Sequence, residues 1–154
     1  MIVEKNKLTT ETLAKVVYGL NEEAYTASSS WSVEQIKAAI ENKYTQFLLL
    51  KEQGEWVGYL SYQWVLDEAE VTQAVVLPAY QRQGYGRQLM QAFLTQMQEQ
   101  QINHVFLEVR VSNKRAQRLY EKSGFTMMSV RKKYYHQPTE DGYVMCLTIG
   151  EVSK

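Results

Sequence analysis

The segment from Val75 to Met97 leaves the chain few choices of fold. Aliphatic residues run up to Pro78 and then, across the loop Gln81-Arg82-Gln83-Gly84-Tyr85-Gly86-Arg87, the period changes: Gly86, Leu89, Met90, Phe93, Leu94 and Met97 recur at spacings of three and four. That is a strand ending in a loop from which an amphipathic helix directly begins. Such a junction suits phosphate. Unpaired backbone N–H groups and the positive end of the helix dipole converge on one spot, and glycines let a diphosphate approach the backbone without a Cβ in the way. Arg82 and Arg87 can add charge-assisted bonds. No Gly-Lys-Ser/Thr follows the loop and no Gly-x-Gly-x-x-Gly is present, so a nucleoside triphosphate or NAD is not expected. Taken alone, a Gly-x-Gly near arginines fits an ordinary strand-to-helix turn equally well.

Around this junction the pattern is mixed α/β. Ile2 to Leu8 reads as a first strand, and Thr10 to Leu20 carries Leu13, Val16, Val17 and Leu20 at helical spacing. A second helix starts after Ser32: Ser32 with Gln35 makes a capping box, and Trp31 with Ile36 a hydrophobic staple. Gln46 to Lys51 and Trp56 to Leu66 flank Glu52-Gln53-Gly54-Glu55 as a hairpin, and a further strand, Ala69 to Leu77, follows a turn at Asp67-Glu68. Past the central helix, Val105, Leu107 and Val109 alternate with Phe106, Glu108 and Arg110 along a strand. A helix capped by Ser112 or Asn113 and ended by Gly124 comes next, and strands at Phe125 to Tyr134 and Tyr143 to Ile149 close the sequence.

Composition removes other classes. The chain has 154 residues, 45% of them hydrophobic, enough for one sizeable core and too few for two ordinary domains. Seventeen Lys and Arg balance seventeen Asp and Glu, so no global field points to nucleic acid or a membrane surface. The single cysteine, Cys146, cannot form an internal disulfide, and a reducing, cytoplasmic setting is expected. The polar opening Met1 to Thr10 and the absence of a long apolar run argue against a signal peptide or a membrane span.

The loop motif Val76-x-Pro78, Tyr80-Gln81-x-Gln83-Gly84-x-Gly86 resembles the coenzyme A loop of the GCN5-related N-acetyltransferases, and the element order agrees over essentially the whole chain. Within that family, Leu107-Glu108-Val109-Arg110 through Ser112-Asn113-x-x-Ala116 to Leu119-Tyr120-Glu121 and Gly124-Phe125 is similar to the ribosomal-protein alanine acetyltransferases, the RimI type. Arg131-Lys132-x-Tyr134-Tyr135, Glu140-Asp141 and Met145 extend the likeness. The resemblance implies one acetyltransferase domain over residues 1–154. Its fold would be α/β, with a mixed, mostly antiparallel central sheet and helices on both faces. It also implies acetyl-CoA as co-substrate, no metal, and an acceptor amine at a protein N-terminus, namely the terminal alanine of the eighteenth small-subunit ribosomal protein.

By the same resemblance, Ala74, Val75 and Val76 lie beside the pantetheine arm. Arg82, Gln83, Gly84, Tyr85, Gly86 and Arg87 hold the pyrophosphate, and Asn113 contacts the cofactor. Glu108 is the general base and Tyr120 the acid that protonates the leaving thiolate. Elementary chemistry is compatible with those roles. An N-terminal ammonium, with a pKa near 8, must lose a proton before it attacks a thioester, and a phenol can protonate a departing thiolate. A carboxyl inside an apolar strand is moved by burial toward values useful for proton transfer.

Each residue also has a plainer reading. Glu108 could pair with Arg110 or another arginine on a solvated sheet face. Tyr120 could be a core aromatic, and Tyr134 and Tyr135 ordinary strand residues or borders of the acceptor groove. His104 and His136 read as surface residues without a partner at metal-ligand spacing, and Cys146 as packing. Acceptor choice is expected to rest on residues 21–31 and 134–142. Lysine side chains or polyamines are alternative acceptors, and acyl-CoA binding without turnover an alternative role.

Overall fold

The protein is described from a computed structural model over residues 1–24, 31–136 and 138–149. Seven strands form one sheet in the order β1-β2-β3-β4-β5-β7-β6. These are β1 (Ile2–Glu4), β2 (Thr45–Glu52), β3 (Glu55–Val65), β4 (Glu68–Val76), β5 (His104–Arg110), β6 (Thr126–Tyr135) and β7 (Glu140–Thr148). Every neighbouring pair is antiparallel except β4 with β5. The helices are α1 (Thr10–Ala24), α2 (Val33–Glu41), α3 (Tyr85–Glu99) and α4 (Lys114–Lys122).

Strand alternation sorts the apolar residues into two layers. Leu48, Leu50, Leu60 and Tyr62 share a core with Leu89, Met90, Phe93 and Met97 of α3, and Tyr120 of α4 joins it. On the opposite face Phe47, Leu49, Tyr59 and Val75 pack with Leu13 and Val17 of α1 and Ile36 and Ile40 of α2. Helices therefore cover both faces, as the resemblance implied. No buried residue of β5, β6 or β7 belongs to the α1/α2 layer among the described residues, so that half of the sheet lacks a helical cover there.

Local signals hold where they are chemical. Gln35 N donates to Ser32 Oγ at 3.1 Å and Ser32 N to Gln35 Oε1 at 2.8 Å, closing the capping box at α2. The β2–β3 turn passes through Gln53 (φ 51°) and Gly54 (φ 82°), two successive left-handed residues that match the twist of the strands they join. The first strand is shorter than the expected Ile2 to Leu8. It stops at Glu4, and Lys5–Lys7 form a 3₁₀ turn. The Lys5 ammonium there donates to the carbonyls of Ile40 (2.8 Å), Asn42 (3.2 Å) and Thr45 (2.6 Å), tying the end of α2 to the start of β2. Helix α1 runs past Leu20 to Ala24, and buried Asn21 accepts a 2.8 Å bond from Tyr59 Oη.

The feature that shapes the site is a parting of the sheet. Strands β4 and β5 pair through Glu68–His104, Ala69–Val105, Glu70–Phe106 and Val71–Leu107, and the register ends there. Between β3 and β4 the register shifts, with Ser61 opposite Gln73 but Tyr62 opposite Val71, leaving Thr72 as a bulge. A bulge bends the strand that carries it. Beyond it β4 follows β3 as far as Gly58–Val76, while β5 follows β7 as far as Arg110–Gly142.

Gly58 permits that course of β4, since a Cβ there would lie 2.4 Å from the Val75 carbonyl oxygen. Gly58→Ala should therefore push the end of β4 and destabilise the protein by about 1–3 kcal/mol, measurable by urea denaturation; an unchanged midpoint would refute this packing account.

Candidate active site

Past the Val71–Leu107 pair the sheet opens into a cleft of about 1370 Å³ between the end of β4, the mouth of α3 and the length of α4. Ala74, Val75 and Val76 form one wall, and Arg82, Gly84, Gly86 and Arg87 form the mouth. Asn113 and Tyr120 come from α4. Gly84 caps α3 in the left-handed region (φ 88°), and no side chain bonds to the N–H groups of the helix's first turn from this cap. Gly86 is spared a side chain where a Cβ would touch Leu119 Cδ2 at 3.4 Å, so α3 and α4 lie close at the mouth.

Two residues of the expected loop set serve the loop itself. Gln83 Nε2 donates to the Ala79 carbonyl at 3.1 Å, and the Tyr85 ring meets Tyr80 edge-on at 6.0 Å; neither lines the cleft. Gln81 bonds to the Val76 carbonyl and accepts from Arg115, joining β4 and α4 through the loop. Asn113, rather than Ser112, caps α4: its Oδ1 accepts from Ala116 N at 3.2 Å, which leaves the amide NH₂ as a donor.

The charge on the cleft is one-sided. Among the described residues six cationic ones line it, Arg82, Arg87, Lys114, Arg115, Arg118 and Lys122, and no carboxylate does. For a chain with equal numbers of acids and bases this is a strong local segregation, and it suits a polyanion. Four of those cations lie on α4 and were not among the expected site residues. The signal was present as Lys114, Arg118 and Lys122 at a spacing of four, one helix face.

Glu108 lies on the other side of the sheet. Leu107 and Val109 are buried in the α3/α4 core, so alternation turns Glu108 toward the face that α1 and α2 leave uncovered. Its side chain is 17% exposed, with Oε2 3.1 Å from Arg131 Nε as an ion pair and Oε1 accepting from Tyr134 Oη at 3.1 Å. Arg131 also stands over the Tyr134 ring. Of the partners the plainer reading allows, Arg110 or another arginine, it is another arginine, Arg131, that pairs with Glu108, while Arg110 pairs with Glu140 at 3.0 Å and bonds the His136 and Pro138 carbonyls.

The groups around Glu108 respond to it. Burial pushes Glu70, one residue before the end of the β4–β5 register, above the ordinary carboxyl range, and the Glu108 charge adds to this while Arg131 opposes it. Burial and the Glu108 carboxylate likewise raise Tyr134, and Tyr135 is pushed up to about 12 by burial first and then by Glu108. Both phenols therefore remain protonated donors at neutral pH.

A latch joins this face to the cleft. Glu140 accepts from Ser112 N (3.0 Å), Ser112 Oγ (2.9 Å) and Arg110 (3.0 Å), and Arg110 also bonds the His136 and Pro138 carbonyls. The start of α4 is thus fixed to the β6–β7 hairpin. Of the two segments expected to choose the acceptor, residues 25–30 and residue 137 lie outside the described residues.

Residues 12–125 match the model of the acetyltransferase (GNAT) family. The chain belongs to that family. Among curated relatives, the [ribosomal protein bS18]-alanine N-acetyltransferase of Haemophilus ducreyi is 38% identical over 113 residues, 70% of this chain and 78% of the relative. The enzyme of the same name from Escherichia coli K12 is 37% identical over 112 residues, 73% and 74% of the two chains. The crystal structure of the ribosomal-protein-S18-alanine N-acetyltransferase from Escherichia coli superposes with a TM-score of 0.86 at 31% identity, covering 97% of this chain and 93% of that one. A GNAT acetyltransferase fold thus accounts for the sheet, the cleft and the loop together. No helix among the described residues is long and apolar enough to cross a membrane.

Burial pushes the Glu140 carboxyl up, but the bonds from Ser112 and Arg110 outweigh it and hold the group below its ordinary value of 4.5. A depressed carboxyl contributes stability that is present above its unfolded pKa and lost as pH falls through the folded one. Glu140→Gln should therefore lower Tm at pH 7, and the gap to the parent should close as the pH drops below the ordinary carboxyl value. A gap that persists unchanged at low pH would show that the charge of Glu140 is not what holds the hairpin to α4.

Proposed function

We propose that this acetyltransferase moves an acetyl group from acetyl-CoA to the α-amine of a protein N-terminus, and that its acceptor is the N-terminal alanine of ribosomal protein bS18. The observation that carries the donor half is the cleft: a glycine-lined helix mouth with, among the described residues, six cationic ones and no carboxylate on its walls. The acceptor half rests on relatives of that name that align over 70% and 73% of the chain. On this reading the whole chain, residues 1–154, acts as one catalytic unit in the cytoplasm.

Each residue then has a task. The first-turn N–H groups of α3 with Arg82 and Arg87 bind the diphosphate, supported by the loop that Gln83 and Tyr85 stiffen. Ala74, Val75 and Val76, with no β5 neighbour beyond Val71, offer backbone groups to the pantetheine amides, and the Asn113 amide can donate to the same arm. Bound in that way, acetyl-CoA supplies the activated acyl carbon, and a backbone N–H near Val75 or Val76 stabilises the oxygen charge that develops on attack.

The parting of β4 from β5 explains why the two ionisable groups can stand on different layers. Glu108 faces the open side, where an acceptor can enter, and takes the proton that the ammonium must lose, directly or through one water. Tyr120, buried in the α3/α4 layer and lining the cleft, gives its proton to the departing thiolate. Tyr134 orients the Glu108 carboxylate through Oε1 and Arg131 balances its charge, while the buried Oε2 accepts no hydrogen bond among the described residues and stays open to an amine proton.

Glu108→Gln should lower kcat by about 10²-fold or more while coenzyme A affinity persists; unchanged turnover would remove Glu108 from the mechanism. Tyr120→Phe should cost about 10-fold or more in kcat, again with little change in donor affinity. A peptide beginning Ala-Arg should carry the label on its α-nitrogen by tandem mass spectrometry. Acetylation confined to a lysine side chain would contradict the acceptor proposed.

A further inference from the structure

Helix α4 breaks two rules of helix electrostatics. Lys114 and Arg115 occupy its first turn, which has no acidic residue, and so place cations at the positive pole of the dipole. Lys114, Arg118 and Lys122 then repeat the charge at a spacing of four, where like charges repel. Nothing nearby neutralises the row. No carboxylate lies within salt-bridge distance of Lys114, Arg118 or Lys122 among the described residues, and the one acid of the helix, Glu121, does not line the cleft. Arg115 is engaged with Gln81. A local conflict of this kind, kept on a cleft wall, marks a place where a ligand supplies the missing charge.

The quantity of charge identifies the ligand group. The α3 mouth with Arg82 and Arg87 is matched to a diphosphate, and the α4 row adds three further cations to the lining of the same cleft, beyond what a diphosphate needs. We propose that Lys114, Arg118 and Lys122 form the seat of a phosphomonoester, the 3′-phosphate of coenzyme A, and that through it the enzyme selects coenzyme A over 3′-dephospho-coenzyme A. This rests on the donor assignment made above. A phosphomonoester carries nearly two negative charges at neutral pH and three acceptor oxygens, which a face of three unpaired cations complements, while the dephospho form leaves the repulsion in place.

Isothermal titration calorimetry with coenzyme A and 3′-dephospho-coenzyme A tests it. The parent should bind coenzyme A tighter by about 10-fold or more, and raising the salt concentration should shrink that ratio. In Lys114→Gln/Arg118→Gln/Lys122→Gln the ratio should fall toward one, chiefly by loss of coenzyme A affinity. The thermal midpoint of the ligand-free variant should stay level or rise, because repulsion has been relieved and Gln keeps helix propensity. Arg118→Gln alone should give an intermediate ratio. Equal affinity of the parent for the two ligands would overturn the inference while leaving the donor assignment standing. Failure of the parent to bind either ligand would overturn both. A triple variant that keeps the full preference would place the phosphate elsewhere.

Discussion

Strands β4 and β5 are held together by four residue pairs and then separate, and most of the site follows from where that separation begins. Parallel strands need a crossover between them, and here α3 is that crossover, so its N-terminus opens immediately after β4 ends and beside the gap. The bulge at Thr72 and the bare backbone of Gly58 steer β4 away along β3, while β5 stays with β7. The gap leaves the end of β4 with a neighbour on one side only, and Glu108 is the first β5 residue past the last β4–β5 pair, on the face opposite the cleft. On the proposed function the amine would reach the acyl carbon through that gap.

Charge follows the same division. The chain has no net charge, yet among the described residues the cleft on the α3/α4 side is lined by six cationic ones and no acid. The opposite face at the end of the paired segment holds Glu70 and Glu108, with Arg131 as counter-ion. An anionic donor and a cationic amine would thus be drawn to opposite sides of one opening. Overall balance conceals this arrangement because carboxylates spread over the rest of the chain offset the cations of the cleft.

Much of the fold was legible in the sequence because local chemistry decides it. The capping box at Ser32, the Gln53-Gly54 turn and the change of period after Gly86 are read from a few adjacent residues, and each element is present. The first strand ends at Glu4 rather than Leu8, and nothing local in Ile2–Leu8 reveals that the Lys5 ammonium satisfies three carbonyls 35 to 40 residues away. The partners of Glu108 escaped for a similar reason. Arg131 and Tyr134 reach it across a strand whose register against β7 shifts twice, between Met127 and Ser129 and between Arg131 and Tyr135, and no alternation pattern reveals such shifts. The cations of α4 were visible at their spacing of four, but only the folded cleft shows that they share a wall with Arg82 and Arg87.

On the proposed function the gap between β4 and β5 is the passage through which acyl donor and amine meet. A crystal structure with a bisubstrate analogue, coenzyme A joined through a thioether-linked acetyl group to the α-nitrogen of an Ala-Arg peptide, measures this directly. The linker should pass between the diverging strands, with the sulfur on the Tyr120 side and the peptide nitrogen within one hydrogen bond or one water of Glu108. A peptide lying on the α3/α4 side of the sheet, with Glu108 out of reach of its nitrogen, would contradict it.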